Sequence, residues 1–549
     1  IPMSKRKNNQ KPNIVFRDSS TIIALLLSYL CMAAGVIWLN KNTDLAGVGL
    51  FISCLFIYGI YVLIFAVPFF TTAKRAVIFR QSRNQTRNAL RFASACGGFA
   101  FVLGIVLGGL FLLLNRFAGS LLKIGSLGSL LWIVLAFAIP LLFFNSVMTG
   151  AFSGFGMRMP FQAWIMITSV FGIIFGILFS NLFGRAGNVN ADLLHNTYIH
   201  TSFFTAGMAM GFVIGNLISC IFMCVLHKAY CNHIKNGTIE AYGKNSENAV
   251  GQIRAFISSL WFPLIRQLIY LLPLIAGVVF YSIKNTLTDY TDTMHPISQL
   301  GIFGIELFLN FLIPLYFTKL IALHFEESLR KSMARQDRYH GGMRLISGIK
   351  QYFCFILPVL FFFSVSTSYM TEWYIKTSLD VSFLWIFVLM ALIAFARLSH
   401  SFLQGFESGN VHLIGYVAGT AGIVVYFYLI LKKMPDMTDV ILAGVICYAI
   451  ICLVNLFFLR RYFVYKKQLL RHLGYPFIAF VIYAVIVFCI FLLKDILTSV
   501  GCFVLSFILD LVLHSLLLVL SGAVKEHELA EFPQRKLLLL FGKLTGIYS

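Results

Sequence analysis

Of the 549 residues, 59% are hydrophobic and only 12% are charged, about half the charged share of an ordinary globular domain. Lys and Arg number 43 against 21 Asp and Glu, a net charge of +22. A chain this apolar, with 56 Phe, is neither a disordered basic protein nor a soluble nucleic-acid-binding domain. It reads as an all-α polytopic membrane protein, and the placement of its charge becomes the next question.

In chain order, residues 1–19 form a basic tail carrying Lys5, Arg6, Lys7, Lys11 and Arg17. The apolar run that follows, 20–40, is too long for a signal-peptide core and reads as an uncleaved span. A run of about 20 apolar residues crosses a bilayer. Scanning at that length predicts about 14 transmembrane helices: 20–40, 46–71, 92–115, 127–152, 162–184, 203–227, 256–283, 298–323, 351–370, 382–404, 411–431, 438–459, 474–493 and 500–522. An even number puts both termini on one side. With the N-terminus inside, the inner segments hold 31 Lys and Arg and the outer ones 9. That asymmetry predicts cytoplasmic termini. Most of the +22 is therefore topology, complementary to the anionic lipids of the inner leaflet.

The longest connection is about 28 residues, at 228–255, so no soluble catalytic domain is expected. No GxxxxGK[ST], HExxH or GxSxG pattern occurs, and neither an enzyme nor a nucleic-acid partner is expected. His195 and His200, in the predicted outer loop 185–202, lack a partner at informative spacing. The 11 Cys show no metal-ligand spacing. No cofactor is expected beyond a coupling ion, Na+ or H+, or the membrane potential.

An internal repeat organises the spans. Gly154-Phe155 after the fourth helix matches Gly405-Phe406 after the tenth, 251 positions on. Pro68 near the end of the second helix matches Pro314 in the eighth, at an offset of 246. A six-helix unit repeats with the same orientation, which predicts two parallel six-helix bundles plus a C-terminal helix pair. The predicted units are a tail (1–19), an N-lobe (20–227), a linker (228–255), a C-lobe (256–459), helices 13 and 14 (460–522) and a second tail (523–549). Parallel repeats of this kind hold substrate near the membrane midplane.

Several short motifs occur in a telling order. They are Ala46-Gly-Val-Gly-Leu-Phe51, then Pro68 with the basic linker ending Arg87-Asn-Ala-Leu-Arg91, Gly154-Phe-Gly-Met-Arg-Met-Pro160, Pro358, and Leu403-Gln-Gly405. In this order the chain resembles the multidrug/oligosaccharidyl-lipid/polysaccharide (MOP) flippase superfamily, and its motifs are similar to the stage V sporulation protein B and lipid II flippase branch. The resemblance covers most of residues 20–495. It implies a flippase that moves an undecaprenyl-diphosphate-linked saccharide, a cell-envelope or exopolysaccharide precursor, by alternating access. It also implies a groove at helices 13 and 14 for a polyprenyl tail, and a glycosyltransferase or synthase as a partner besides the membrane lipids. In one respect the chain departs from the lipid II type, which carries cavity arginines in helices 1 and 2. Here residues 20–71 hold only Lys41 and Asp44 as charges.

Ionisable groups within spans are costly and mark candidate sites. Arg266 is expected about ten residues into the seventh helix, about 15 Å deep. It reads either as a fork of donors for a diphosphate or as an ion pair with Glu306. Arg397, with His400 on a similar face, reads either as a contact for substrate arriving from the inner leaflet or as a snorkelling side chain. Glu306 and Asn310 share a face of the eighth helix. The expected substrate contacts are Arg266, Arg397, His400 and Asn310, and Glu306 is the expected ion-coupling carboxylate. Lys319 is expected to snorkel from the end of the eighth helix, and Asp510 and His514 to satisfy each other. Two rivals stand beside the flippase: a cation-coupled exporter of small amphipathic compounds, and a scaffold subunit of a polysaccharide-secretion complex.

Overall fold

The computed structural model describes residues 19–115, 117, 119, 125–196, 198–235, 247–287, 294–378, 381–407, 410–430, 437–463, 470–492, 499–532 and 535–548. They form helices and turns, with no strand among the described residues. Lipid offers no partner for backbone N–H and C=O groups, so a chain this apolar must satisfy them within helices. Twelve helices and one bent pair are long and apolar enough to cross a membrane. The longest of these, Ser19–Ser82, holds two spans, which divide at Asp44 where φ is 55° and ψ is −168°. The first two spans, α1 (19–43) and α2 (45–82), are thus joined by a single-residue hinge in place of a loop.

The remaining spans are α3 (Thr86–Leu113), α4 (Ser129–Gly154), α5 (Met159–Leu194), α6 (Tyr198–Lys235), α7 (Ala249–Leu287), α8 (294–334), α9 (338–375), α10 (Phe383–Gly405), α11 (Val411–Ile430), α12 (Met437–Leu459), α13 (Tyr475–Leu492) and α14 (Ser499–Leu520). Several overrun the apolar runs that predict them. α2 continues to Ser82, α7 starts at Ala249 and α8 ends at Ala334. Lys, Arg and Gln are good helix formers, so a helix continues where its sequence stops being apolar. The predicted outer loop around His195 and His200 is mostly helical for the same reason: α5 runs to Leu194 and α6 starts at Tyr198. The sequence holds two N-x-[ST] patterns, Asn84-Gln-Thr86 and Asn236-Gly-Thr238; Asn84 lies in the α2–α3 turn, and Asn236 lies outside the described residues.

Two spans are interrupted by prolines. α8 runs Met294–Gly304, makes one π turn over Ile305–Leu309, and resumes as Leu312–Ala334 with a bend of 44°. Pro314 offers no N–H and crowds the carbonyl four residues back, which corrects the expectation of one unbroken helix. In α9 a π turn at Tyr352–Ile356 precedes Pro358. The carbonyl that Pro358 releases is that of Cys354, and His514 of α14 donates to it at 3.0 Å through Nε2. His514 is therefore not held by Asp510, which sits beside Tyr483 of α13 instead. A proline in one span has recruited a histidine in another.

The structure supports the repeat through contacts that the two lobes make in parallel. A Cβ on Gly154 would lie 2.7 Å from Val77 Cβ and 2.9 Å from the Lys74 carbonyl of α2. A Cβ on Gly405 would lie 2.7 Å from Leu329 Cβ and 3.2 Å from the Glu326 carbonyl of α8. The ends of α4 and α10 thus press on equivalent turns of α2 and α8. Val77 and Leu329 are 252 positions apart, so the glycines set the true register, and the Pro68–Pro314 match at 246 is out of step with it. A second parallel follows in the hydrogen bonds. Asn145 Nδ2 of α4 donates to the Asn216 carbonyl of α6 at 3.3 Å, and Asn455 Nδ2 of α12 donates to Ser399 Oγ of α10 at 3.0 Å. Apolar contact alone gives helices in lipid little reason to associate, so close glycine approaches and such bonds, each about 0.6–2 kcal/mol, hold the lobes.

We name one end of the bundle the basic end: it carries the α2–α3 and α8–α9 turns and the residues after α14. At the other, far end, the lobes meet backbone to backbone. A Cβ on Gly301 would fall 2.6 Å from Gly49 Cα, and one on Gly49 would fall 2.2 Å from the Ile297 carbonyl. Towards the basic end α2 and α8 scarcely touch. α7 serves both lobes. Phe256 and Leu260 pack in the N-lobe core, and Phe280 packs against α11 and α12. The lobes therefore enclose a cleft open at the basic end.

The predicted second tail is folded. Residues 523–532 and 535–548 include a short turn and a helix, α15 (Arg535–Leu544), and Leu538 and Tyr548 pack with Cys354 and Leu518. Lys350 Nζ, only 4% exposed, bonds Glu528 Oε2 at 2.6 Å. A charge-assisted bond of this kind contributes about 1.5–3 kcal/mol. Lys350→Met is therefore expected to release this segment, read as faster trypsin cleavage after Lys525 with the transmembrane core intact.

Candidate functional site in the cleft

Polar side chains from six helices converge on the cleft at two levels. Near its mouth, Arg266 of α7 faces α2 across a small pocket lined by Pro68, Thr71, Arg75 and Gln267. Arg75, Arg266, Glu326 and Arg330 lie within one another's electrostatic reach. Arg330 Nη2 bonds Glu326 Oε1 at 2.7 Å. Arg266 also stands 5.7 Å over the Tyr270 ring, one turn along α7. The Tyr270 hydroxyl joins two histidines: it lies 3.2 Å from His400 Nε2 and 2.7 Å from His412 Nε2. The two imidazoles are 4.3 Å apart, centroid to centroid.

One turn deeper sit Arg397 of α10 and Lys319 of α8, close enough to feel each other's charge. Both have exposed surface although helices surround them. That combination means that they line an internal opening, and neither points to lipid. Tyr416 and Tyr448 flank Arg397. One turn deeper again, Leu315 and Ile393 line an apolar cavity of about 250 Å³, with Tyr448, Phe427 and Met390 among its walls. The cleft thus grades from a cationic mouth, through a Lys–Arg pair, to an apolar chamber between the lobes.

The structure brings Arg266, Arg397 and His400 together, since the fields of both arginines and of His412 reach the His400 ring. Glu306 and Asn310 are not part of this group. Asn310 is fully buried against α9, and its Nδ2 donates to Thr367 Oγ1 at 2.8 Å and Thr371 Oγ1 at 3.2 Å. Asn310 is therefore no substrate contact in this state. Sixteen residues of α8 separate Asn310 from Glu326, roughly 24 Å along the helix. Glu306 lies a turn further still. The carboxylate beside Arg266 is Glu326, so the ion pair of Arg266 with Glu306 is not formed. Arg266 is level with Thr71 and Arg75 of α2 and with Glu326 of α8, which places it at the mouth of the cleft.

Two members of the cluster escape a hydropathy reading. Lys319 does not stand at a helix end: α8 runs fifteen residues past it. Arg75 falls after the apolar run of α2 and reads as linker, yet α2 carries it to the cleft. α2 therefore does supply a cleft arginine, one turn and more beyond the residues where sequence scanning looks for it.

No protein-family model matches the sequence, and no curated protein does. Solved structures do match it in shape. The lipid II flippase MurJ in an inward closed conformation aligns with a TM-score of 0.63 at 12% identity, over 91% of this chain and 98% of that one. An inward-facing MATE-family multidrug transporter aligns at 0.52 and 15% identity, over 82% and 99%. A MOP-superfamily transporter from Pyrococcus furiosus aligns at 0.51 and 15% identity, over 85% and 100%. Fourteen spans in two parallel lobes and a terminal pair, with alignments that cover these transporters almost end to end, give this chain the fold of the MOP superfamily.

Proposed function

We propose that this protein is a flippase for an undecaprenyl-diphosphate-linked saccharide in a bacterial cytoplasmic membrane. The basic end faces the cytoplasm, where a glycosyltransferase or synthase delivers the cargo. The observation that carries the reading is the convergence of Arg75, Arg266, Lys319 and Arg397 on one cleft between the lobes, with Glu326 as the carboxylate set among them. A diphosphate is the natural counter-charge for such a group. Guanidinium forks grip its oxygens in pairs, and a lysine adds a mobile point charge. The polar headgroup occupies the wet cleft, and the prenyl chain stays in lipid. Closure at the basic end and parting of the Gly49–Gly301 contact then expose the sugar on the other side.

The apolar chamber above Lys319 and Arg397 favours a second reading, export of small amphipathic compounds. The test is translocation of defined lipid-linked saccharides in proteoliposomes, run beside efflux of a lipophilic cation. The flippase reading expects headgroup translocation that Arg266→Ala with Arg397→Ala abolishes. Cation efflux without headgroup translocation overturns it in favour of the exporter.

A further inference from the structure

At the far end, a cavity of about 390 Å³ opens between α9, α10 and α13. Its walls are aromatic. Tyr369 of α9 stacks on Phe491 of α13 with ring centroids 5.2 Å apart, and Phe383 of α10 lies 5.6 Å from Phe488 of α13, tilted by 30°. The two ring pairs tie α13 to the C-lobe, and all four rings line the space. The level is that of the membrane surface: α9 ends at Ile375, α10 starts at Phe383 and α13 ends at Leu492. Trp373 and Trp385, 73% and 40% exposed, mark that level, since indoles gather where apolar chains meet headgroups.

One carboxylate stands among the rings. Glu372, in the last turn of α9, lines the cavity and is exposed. Ser378 Oγ donates to its Oε1 at 3.3 Å, and among the described residues no cation pairs with it. Lys376 follows four residues on, but its left-handed backbone (φ 59°) ends the helix first. Two hydroxyls complete the lining. Neither the Ser368 nor the Ser382 side chain makes a hydrogen bond among the described residues. Ser382 is the N-cap of α10, and it leaves that helix end uncapped.

We infer that this cavity binds the headgroup of a zwitterionic phospholipid, with its ammonium between Glu372 and the rings and its phosphate at the two serines. An organic ammonium is held by opposite charge and by the negative faces of aromatic rings, and both are present here. The phosphate beside it meets two open hydroxyls and the positive end of α10. An anionic headgroup, by contrast, brings no positive charge to answer Glu372. The acyl chains have a path as well: Val485, Phe488 and Leu492, on one face of α13, are exposed beside the cavity.

Two residues after Glu372, Tyr374 shares a 2.6 Å hydrogen bond with Tyr29 of α1 in the N-lobe. The headgroup therefore seats on a turn of α9 that also ties the lobes at the far end. Only the leaflet, the outer one, rests on the orientation proposed above. The site itself stands whatever the cargo, because it shares no residue with the cleft or its chamber.

The test is a titration of the delipidated full-length protein in detergent with dioctanoyl phosphatidylethanolamine, followed by native mass spectrometry. Dioctanoyl phosphatidylglycerol, of equal chain length and without the ammonium, is the control. One tightly held phosphatidylethanolamine per chain is expected, with phosphatidylglycerol weaker by about tenfold or more. Glu372→Gln is expected to weaken phosphatidylethanolamine about tenfold and to close the gap between the two lipids. Phe488→Leu keeps an apolar wall without a ring, and is expected to weaken the same lipid by about threefold. Equal melting temperatures of the variants without lipid show that folding is intact. Arg397→Ala is expected to bind the lipid normally, so a failure of the flippase reading leaves this result standing. Equal affinity for the two lipids overturns the inference, as does a preference for phosphatidylethanolamine that survives Glu372→Gln. Binding of free tetramethylammonium that Glu372→Gln abolishes and phosphatidylethanolamine cannot displace overturns it in favour of a soluble cation.

Discussion

Arg397→Ala is expected to cut translocation of an undecaprenyl-diphosphate-linked saccharide by about 10- to 100-fold, and Lys319→Ala with Arg397→Ala to abolish it. Each charge-assisted bond to a phosphate is worth about 1.5–3 kcal/mol, and every 1.4 kcal/mol is tenfold. Lys319 and Arg397 lie within each other's electrostatic reach in an opening walled by helices. Arg330 provides the contrast. Its side chain is 57% exposed, and it pairs with Glu326 one turn away on the same helix. Such surface pairs contribute little, so Arg330→Ala should stay within about twofold of the parent. Conservative replacement sharpens the result. Arg397→Lys keeps the charge and loses the fork, and is expected to retain translocation at a reduced level. The measurement is accessibility of a labelled headgroup in proteoliposomes, with binding of a diphosphate-linked and a monophosphate-linked analogue in detergent. Full activity in the double variant, or equal loss from Arg330→Ala, removes the diphosphate role from this pair.

The fourteen spans were legible because lipid imposes one rule on every segment, and hydropathy reads that rule directly. The repeat was legible at Gly154 and Gly405 because close helix contacts in lipid demand small residues, which leave a mark in sequence. Arg266, Arg397 and His400 were legible as rare charges in apolar runs. Their meeting in one cleft was not, since it depends on how α7 crosses between lobes. Lys319 and Arg75 were misplaced for a physical reason: an apolar window ends at the first charges, while the helix carrying them continues. The pairing of Arg266 with Glu306 failed because depth along a span is poorly set by its apolar length. Glu326 lies past the apolar run of α8, on the continuing helix, and Arg266 falls beside it. The service of His514 to the carbonyl freed by Pro358 joins residues 160 positions apart, and no local pattern announces it.

Gly301→Val is expected to block transport by holding the far end open. In this state the lobes are closed there by contact of backbone with backbone. A Cβ at Gly301 would lie 2.6 Å from Gly49 Cα and 2.8 Å from Gly49 N. No flexible side chain stands in the way, so nothing can yield without moving α2 away from α8. Overpacking a core costs about 1–3 kcal/mol where side chains can adjust. Here the cost falls wholly on the far-end-closed state and spares any state in which the two helices part. A difference of about 3 kcal/mol shifts a two-state equilibrium by roughly 150-fold. The variant therefore populates the opposite conformation without unfolding, and transport stops because alternation needs both states. Gly301→Ala is expected to fall between, with a smaller shift in the same direction. Spin labels at Lys41 and Lys376, both exposed at this end, report the separation of the lobes in a cysteine-free background. The distance should lengthen from the parent to Ala to Val. A Gly301→Val protein that keeps the parental distance and full transport would show that the Gly49–Gly301 contact is not the far-end gate. Long distances together with full transport would show that closure of this end is not part of the cycle.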